Sequence, residues 1–182
     1  RLGLPYRSAG SFCGSKLPDA QAAYETANSL NMGLLSGVNF MLHSCGWLEG
    51  GLVSSYEKFV MDADQLGTLH HLAAGVQIDD NAQAMGAIRE VGPGGHYLGH
   101  PHTLENFQRA FFMPELFDNN SIEQWVAEGA VEANERALTY TRNLLKAYEE
   151  PKLDDGVNEA LLDYIARRER EIPAADALNQ DH

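Results

Sequence analysis

Cysteine and tryptophan occur twice each in 182 residues, and basic side chains are outnumbered two to one by acidic ones. Cys13 and Cys45, each next to a glycine, are too few for a disulfide framework, and they point to a reducing, cytoplasmic setting. With 13 Lys and Arg against 26 Asp and Glu the net charge is -13. That field repels phosphate backbones and anionic membranes, so neither nucleic acid nor a membrane is an expected partner, whereas a cationic ligand is compatible with it. No apolar run approaches the roughly 18 residues of a membrane span, and no basic-then-apolar leader opens the chain. Internal repeats and low-complexity segments are lacking too. The chain starts at Arg1, without an initiator Met, and runs almost at once into the strand-like Leu4 to Gly10, so it reads as a piece of a longer product.

What is present is concentrated between Gly37 and Gly51. Val38 to Leu42 form a short, nearly unbroken apolar run with a glycine before it and glycines after it, the pattern of a parallel strand buried on both faces. Composition then changes abruptly, with His43, Ser44, Cys45, Trp47 and Glu49 following one another closely. A proton carrier, two nucleophile candidates, an aromatic face and a carboxylate therefore gather where the strand stops. In α/β folds the carboxyl ends of parallel strands are where ligands bind.

Residues 3 to 9 read as a weak strand and 11 to 16 as a loop of small residues. Pro18 and Asp19 offer a helix start, and Ala20 to Ser36 carry strong helix formers until Gly37. Strand, loop, helix, strand is the βαβ unit, whose crossover forces the strands to be parallel. A Gly-rich loop at 46 to 51 precedes a helical pattern from Ser54 to about Ala74, with Phe59, Val60, Ala63, Leu66, Leu69 and Ala73 on one side. Asn81 to Glu90 predicts a helix capped by Asp79 or Asp80 and stopped at Gly92, then His96 to Leu98 a third strand and Leu104 to Phe111 a helix capped by Thr103. From Ser121, with Gln124 completing a capping box, helical spacing continues for about 28 residues to Pro151. A last helix runs from Asp154 or Asp155 to Arg170, and 174 to 182 read as a flexible tail.

The expected class is α/β: the carboxyl-terminal portion of a (β/α)8 barrel, with about three parallel strands and long carboxyl-terminal helices. A whole barrel needs about 250 residues. The expected division is 1–120 for the βα units, 121–173 for helices packing on the barrel, and 174–182 for the tail. The long helices are compatible with a homo-oligomer.

Residues 11–16, 19–25, 37–51, 56–62 and 95–104 together resemble the carboxyl-terminal part of the trimethylamine methyltransferase family, over about Leu4 to Pro173. The resemblance implies a corrinoid-dependent methyltransferase on a (β/α)8 barrel. Such enzymes move a methyl group from a tertiary or quaternary amine to the cobalt of a corrinoid (cobalamin) carried on a separate corrinoid protein. Family members are much longer, which implies that the amino-terminal barrel strands are absent here, and an isolated piece is expected to be inactive. Archaeal trimethylamine enzymes carry pyrrolysine in a loop that corresponds approximately to residues 9 to 16. Only ordinary residues occupy it here, so the chain looks closer to the branch that demethylates quaternary amines such as glycine betaine.

A quaternary nitrogen carries a fixed charge and no hydrogen to donate, so its site calls for aromatic faces and a carboxylate. Trp47, Phe12 and Tyr56 are the aromatic candidates and Glu49 the carboxylate. His43, taken as the catalytic candidate, stands at the strand end, where it can orient the ligand or donate to a substrate carboxylate. Each has a plainer reading: a Trp after a strand often packs, a strand-end His often bonds a carbonyl, a loop Glu is often solvated, and Cys45 is read as a small buried hydrophobe. His96, His100 and His102 offer a zinc-binding alternative, for a zinc-dependent methyltransferase or hydrolase, although their spacing matches no tight ligand motif. No directly bound metal is expected in the main reading. A third reading is a non-catalytic fragment or assembly module.

Overall fold

The computed structural model describes residues 3–172, and the chain divides into two compact units, Arg1–Lys146 and Ala147–His182. The predicted tail lies outside the described residues. In the first unit β1 (Arg7–Ala9) and β2 (Phe40–Leu42) pair in parallel, with Arg7 opposite Phe40 and Ala9 opposite Leu42. They are joined by α1 (Ala20–Leu35), so the expected βαβ unit is present. Asp19 caps α1 by accepting the Ala22 N–H at 3.0 Å, a bond worth about 1 kcal/mol to a helix start. Ser36 caps the other end, and Gly37 follows at φ +73°. Leu30 of α1 is fully buried against Gly10, where a Cβ would lie 2.3 Å from Leu30 Cδ2. Side-chain burial of this kind contributes roughly 1.5–3 kcal/mol.

The glycine-rich segment after β2 is more ordered than its composition predicts. It forms an antiparallel hairpin of β3 (Trp47–Leu48) and β4 (Val53–Ser54) around a 3-10 turn, Glu49–Gly51. Gly50 and Gly51 take φ +65° and +93°, which a side-chain-bearing residue adopts only under strain. Ser55 then caps α2 (Tyr56–Ala74), accepting the Lys58 N–H at 3.2 Å. Cys13, Ala22 and Leu48 form one apolar cluster; Val60, Leu116 and Ala137 form a second, with Met61 and Tyr140 against it. The Asp64 carboxylate accepts the N–H groups of Glu115, Leu116 and Phe117 at 3.0–3.3 Å and so ties the 115–117 segment to α2.

Several elements depart from expectation. β2 is shorter than Val38–Leu42, and Phe40 is 61% exposed, so this strand is not buried on both faces. His96–Leu98 forms no strand; among the described residues the parallel strands number two rather than about three. The helix expected over Asn81–Glu90 breaks into α3 (Asp80–Gln83) and α4 (Met85–Val91) at Ala84, whose φ of +51° turns its N–H back to the Asp80 and Asn81 carbonyls. α5 spans Pro101–Asn106 rather than Leu104–Phe111, with His100 in place of Thr103 as its cap and Pro101 in the first turn, where a missing N–H is harmless.

The long helix after Ser121 is interrupted as well, giving α6 (Ile122–Ala127) and α7 (Ala133–Ala147). Gly129 and Ala130 have positive φ at the break, and Trp125 Nε1 donates to Val131 O at 3.2 Å. Arg136 donates to Val131 O and, at 2.8 Å, to Leu116 O. These side-chain hydrogen bonds, two of them local and one reaching back to Leu116, favour a turn where apolar spacing favours a helix. In the second unit α8 (Asp155–Glu171) matches the last predicted helix, capped by Asp154. No helix among the described residues is long and apolar enough to cross a membrane.

Candidate functional site

β1 and β2 end side by side, and their ladder continues into the loops beyond. Gly10 N–H donates to Leu42 O at 3.1 Å and Ser11 N–H to His43 O at 2.8 Å. This register sets Phe12 beside His43 and Trp47. Ring centroids lie 4.8 Å apart for Phe12 and His43, and 5.6 Å apart for both Phe12–Trp47 and His43–Trp47, the last pair edge to face at 75°. Gly51 backs the Phe12 ring so closely that a Cβ there would lie 2.4 Å from Cε1. Cys13 Sγ–H donates to Trp47 O at 3.2 Å, and Gly50 N–H donates to Cys13 O at 2.8 Å, locking the hairpin onto the first loop.

Three of the five residues singled out in the sequence thus come together, at a partly accessible place. His43 has φ +51°, unusual for a bulky residue and worth about 1–3 kcal/mol of strain, which the surrounding contacts must offset. Its Nδ1 is buried without a hydrogen-bond partner, and its ring bonds no described residue. Among the described residues its ring bonds no backbone carbonyl. Glu49 and Tyr56 stand differently. Glu49 is exposed and is fixed by its backbone N–H to Ser15 O at 2.9 Å rather than by its carboxylate. Tyr56 opens α2, is 66% exposed and stacks with none of the three rings.

The three candidate zinc histidines are not gathered. His100 Nε2 lies 3.1 Å from Glu90 Oε2 while its Nδ1 accepts the His102 N–H, His102 Nε2 lies 2.7 Å from Asn81 O, and His96 is exposed. Among the described residues no three His, Cys, Asp or Glu side chains are placed to hold a metal ion.

Beneath the rings lies a polar network that hydrophobic spacing conceals. Lys58 and Asp62, one turn apart on α2, form an ion pair at 2.5 Å with side chains 2% and 9% exposed. Lys58 Nζ also donates to Ser11 Oγ at 2.9 Å and Thr26 Oγ1 at 2.8 Å. Asp62 Oδ2 accepts in addition from Ser11 Oγ at 2.7 Å and Gly46 N–H at 2.8 Å. The face of α2 turned inward is therefore Lys58, Val60, Asp62 and Leu69, and Phe59 and Ala63 of the predicted apolar stripe are exposed. An i, i+4 Lys–Asp pair is the one sequence signal for this network, and the same pair occurs on solvated helix faces.

Cys45 adjoins the network. Desolvation, and then the Asp62 charge, push its thiol up to about 11, with Lys58 pulling in the opposite sense. The neutral thiol therefore persists through the physiological range. Alkylation of Cys45 by iodoacetamide at pH 8, followed by peptide mass spectrometry, is expected to run on the order of 100-fold slower than that of an ordinary thiol of pKa ~8.5. A rate equal to that of free cysteine would contradict this burial.

Residues 1–173 match the family model described as trimethylamine methyltransferase (MTTB). The chain is 39% identical to the glycine betaine methyltransferase of Desulfitobacterium hafniense strain Y51 over 170 residues, which are 93% of this chain and 35% of that protein. It is 28% identical to the trimethylamine methyltransferase MttB of Desulfitobacterium hafniense strain DSM 10664 / DCB-2, over 96% of this chain and 35% of that one. Identity to the L-carnitine:corrinoid methyltransferase of Eubacterium limosum is also 28%, over 81% and 31%. The chain spans about a third of the length of these relatives. With a family model covering it almost from end to end, the chain belongs to the trimethylamine methyltransferase (MTTB) family.

Proposed function

We propose that the surface formed by Phe12, His43 and Trp47 receives the methylated ammonium group of a quaternary amine, whose methyl passes to the Co(I) of a corrinoid on a partner protein. The observation that carries this reading is the meeting of three rings within 4.8–5.6 Å at the ends of two parallel strands. A quaternary ammonium ion offers no hydrogen to an acceptor, so ring faces are its natural partners, at roughly 0.5–2 kcal/mol per face. Relatives named for glycine betaine and L-carnitine support a substrate of this class. The residues of loop 9–16, all ordinary amino acids, favour the quaternary-amine branch.

The chemistry needs little from the protein beyond placement. The carrier's Co(I) would supply the nucleophile for the methyl carbon, and the electrons of the broken C–N bond would stay with nitrogen. A neutral tertiary amine departs without needing a proton. The chain's own contribution is to hold the ammonium group still and to keep water away, which is catalysis by proximity and orientation. Phe12 and Trp47 supply faces for the charge, and His43 orients the ligand, with a betaine carboxylate as the group it would hydrogen-bond. The corrinoid is a co-substrate on its carrier, and nothing in this part of the chain has to ligate the cobalt.

We further infer that β1, α1 and β2 are consecutive parts of a (β/α)8 barrel completed by other strands. Parallel strands normally lie in sheets covered on both faces, whereas β1 and β2 pair only with each other among the described residues. The decisive assay uses the natural full-length protein carrying this chain. With a Co(I) corrinoid protein it should consume glycine betaine or another betaine and yield methyl-Co(III) and the demethylated amine. Lack of turnover across a broad panel of betaines and methylamines rules the proposal out. In the same protein, His43→Ala and Trp47→Ala are each expected to weaken substrate binding at least about tenfold, some 1.4 kcal/mol, in calorimetric titration. Unchanged affinity in both would move the site elsewhere.

A further inference from the structure

We propose that the Lys58–Asp62 pair is a positioning device for the aromatic surface, acting through the two backbone segments that carry its rings. This rests on the reading of Phe12, His43 and Trp47 as the substrate site. Asp62 Oδ2 holds Ser11 Oγ at 2.7 Å and Gly46 N–H at 2.8 Å. Ser11 immediately precedes Phe12, and Gly46 immediately precedes Trp47. One carboxylate oxygen therefore pins the residue before each of two rings, while Ser11 N–H holds the carbonyl of His43, which carries the third. Lys58 neutralises the carboxylate and fixes its place, since its ammonium also reaches Thr26 of α1 and so ties α2 to the crossover helix.

Energetics support a role beyond folding. An apolar pair of similar volume is often as stable as a buried ion pair, or more so, because two charges lose their hydration on burial. Stability alone therefore does not call for ions here. What an apolar pair cannot do is accept the Gly46 N–H and the Ser11 hydroxyl. The hydrogen-bonding oxygen of Asp62 is the functional atom, and the charge of Lys58 is the means of keeping it buried.

Two neutral double variants separate these contributions in the natural full-length protein. Lys58→Met/Asp62→Asn removes both charges but keeps a side-chain oxygen for Ser11 and Gly46. Lys58→Met/Asp62→Leu removes the oxygen as well. Two readouts are used: affinity for glycine betaine and tetramethylammonium, and the 19F resonance of Trp47 in protein labelled with 5-fluorotryptophan, assigned through Trp47→Phe. Positioning predicts that the Asn form binds within about threefold of the parent and keeps the parent resonance. The Leu form is expected to bind at least about tenfold more weakly, with a displaced resonance. Equal resonances in parent, Asn and Leu forms overturn the proposal, and so does an equal displacement in both doubles, which would assign the effect to charge.

The resonance also separates the two levels of inference. If the parent binds neither ammonium ion, the substrate reading fails, while the resonances still decide whether Asp62 sets the place of Trp47. Should the Leu form not fold, Ser11→Ala deletes one tie and leaves the ion pair intact. In protein labelled with 4-fluorophenylalanine, a displaced Phe12 resonance then upholds the positioning role, and an unmoved one overturns it.

Discussion

Lys58→Met is expected to destabilise the fold by about 3–5 kcal/mol, because it leaves the Asp62 carboxylate buried without its counter-ion. The loss is comparable to much of the 5–15 kcal/mol by which domains are ordinarily stable. Three bonds disappear together: those of Nζ to Ser11, Thr26 and Asp62. The carboxylate keeps the Ser11 hydroxyl and the Gly46 N–H, but these two dipoles do not cancel a full charge at a site where Asp62 is 6% exposed. Adding Asp62→Asn to Lys58→Met removes that charge and should recover most of the loss, so the double variant is expected to be more stable than the single. Urea denaturation midpoints at constant m-value measure the order. A single variant as stable as the parent, or a double variant weaker than the single, would show that the pair is solvated in solution.

Gly46→Ala is expected to cost about 2–5 kcal/mol, from two sources that act together. Gly46 sits at φ +80°, where a Cβ costs roughly 1–2 kcal/mol. The added methyl would also lie 3.0 Å from Phe59 Cβ and 3.3 Å from Phe59 Cα, and overpacking costs typically 1–3 kcal/mol. Because one of those atoms is backbone, a change of Phe59 rotamer relieves only part of the collision. The helix carrying Phe59 also carries Lys58 and Asp62, so relief comes instead from moving the loop and Trp47 with it. The variant should therefore lose substrate affinity as well as thermal stability. Gly50→Ala serves as the comparison: its Cβ meets nothing within 4 Å, so only the backbone penalty of φ +65° applies. Equal melting temperatures for the two variants would mean that the Gly46 turn is not packed against α2.

Much of the geometry of the candidate site was legible in the residues between 37 and 51. A short apolar run, a bounding glycine and a cluster of His, Cys, Trp and Glu predict a strand end carrying chemistry; the structure places His43, just past β2, beside Phe12 and Trp47, and the chemistry itself remains the proposal. Tyr56 did not follow, since as the first residue of α2 its direction is set by the helix, and it faces solvent. Nor did Glu49, whose place in the hairpin turn is set by its backbone N–H. The break at Ala84 left no local signal, since alanine favours helix; at Gly129–Ala130 the glycine was a signal that the helical spacing on either side outweighed. At the second break the bonds of Trp125 and Arg136 to Val131 O prevail, and Arg136 also reaches Leu116, 20 positions away.

The sequence by itself determined the βαβ unit, the start of α1 at Asp19, the last helix and family membership, because these depend on local spacing, caps and residue identity along the chain. Only the tertiary structure decided which face of α2 turns inward. Apolar periodicity selects Phe59, Val60, Ala63 and Leu69 among others; Val60 and Leu69 are buried, but Phe59 and Ala63 are exposed and the charged Lys58 and Asp62 are buried in their stead. Burial of those charges is possible because Ser11, Thr26 and Gly46, up to 51 positions away in sequence, arrive with matching hydrogen-bonding groups. A polar side chain is placed inside by partners from elsewhere in the chain, and local hydrophobicity carries no record of them.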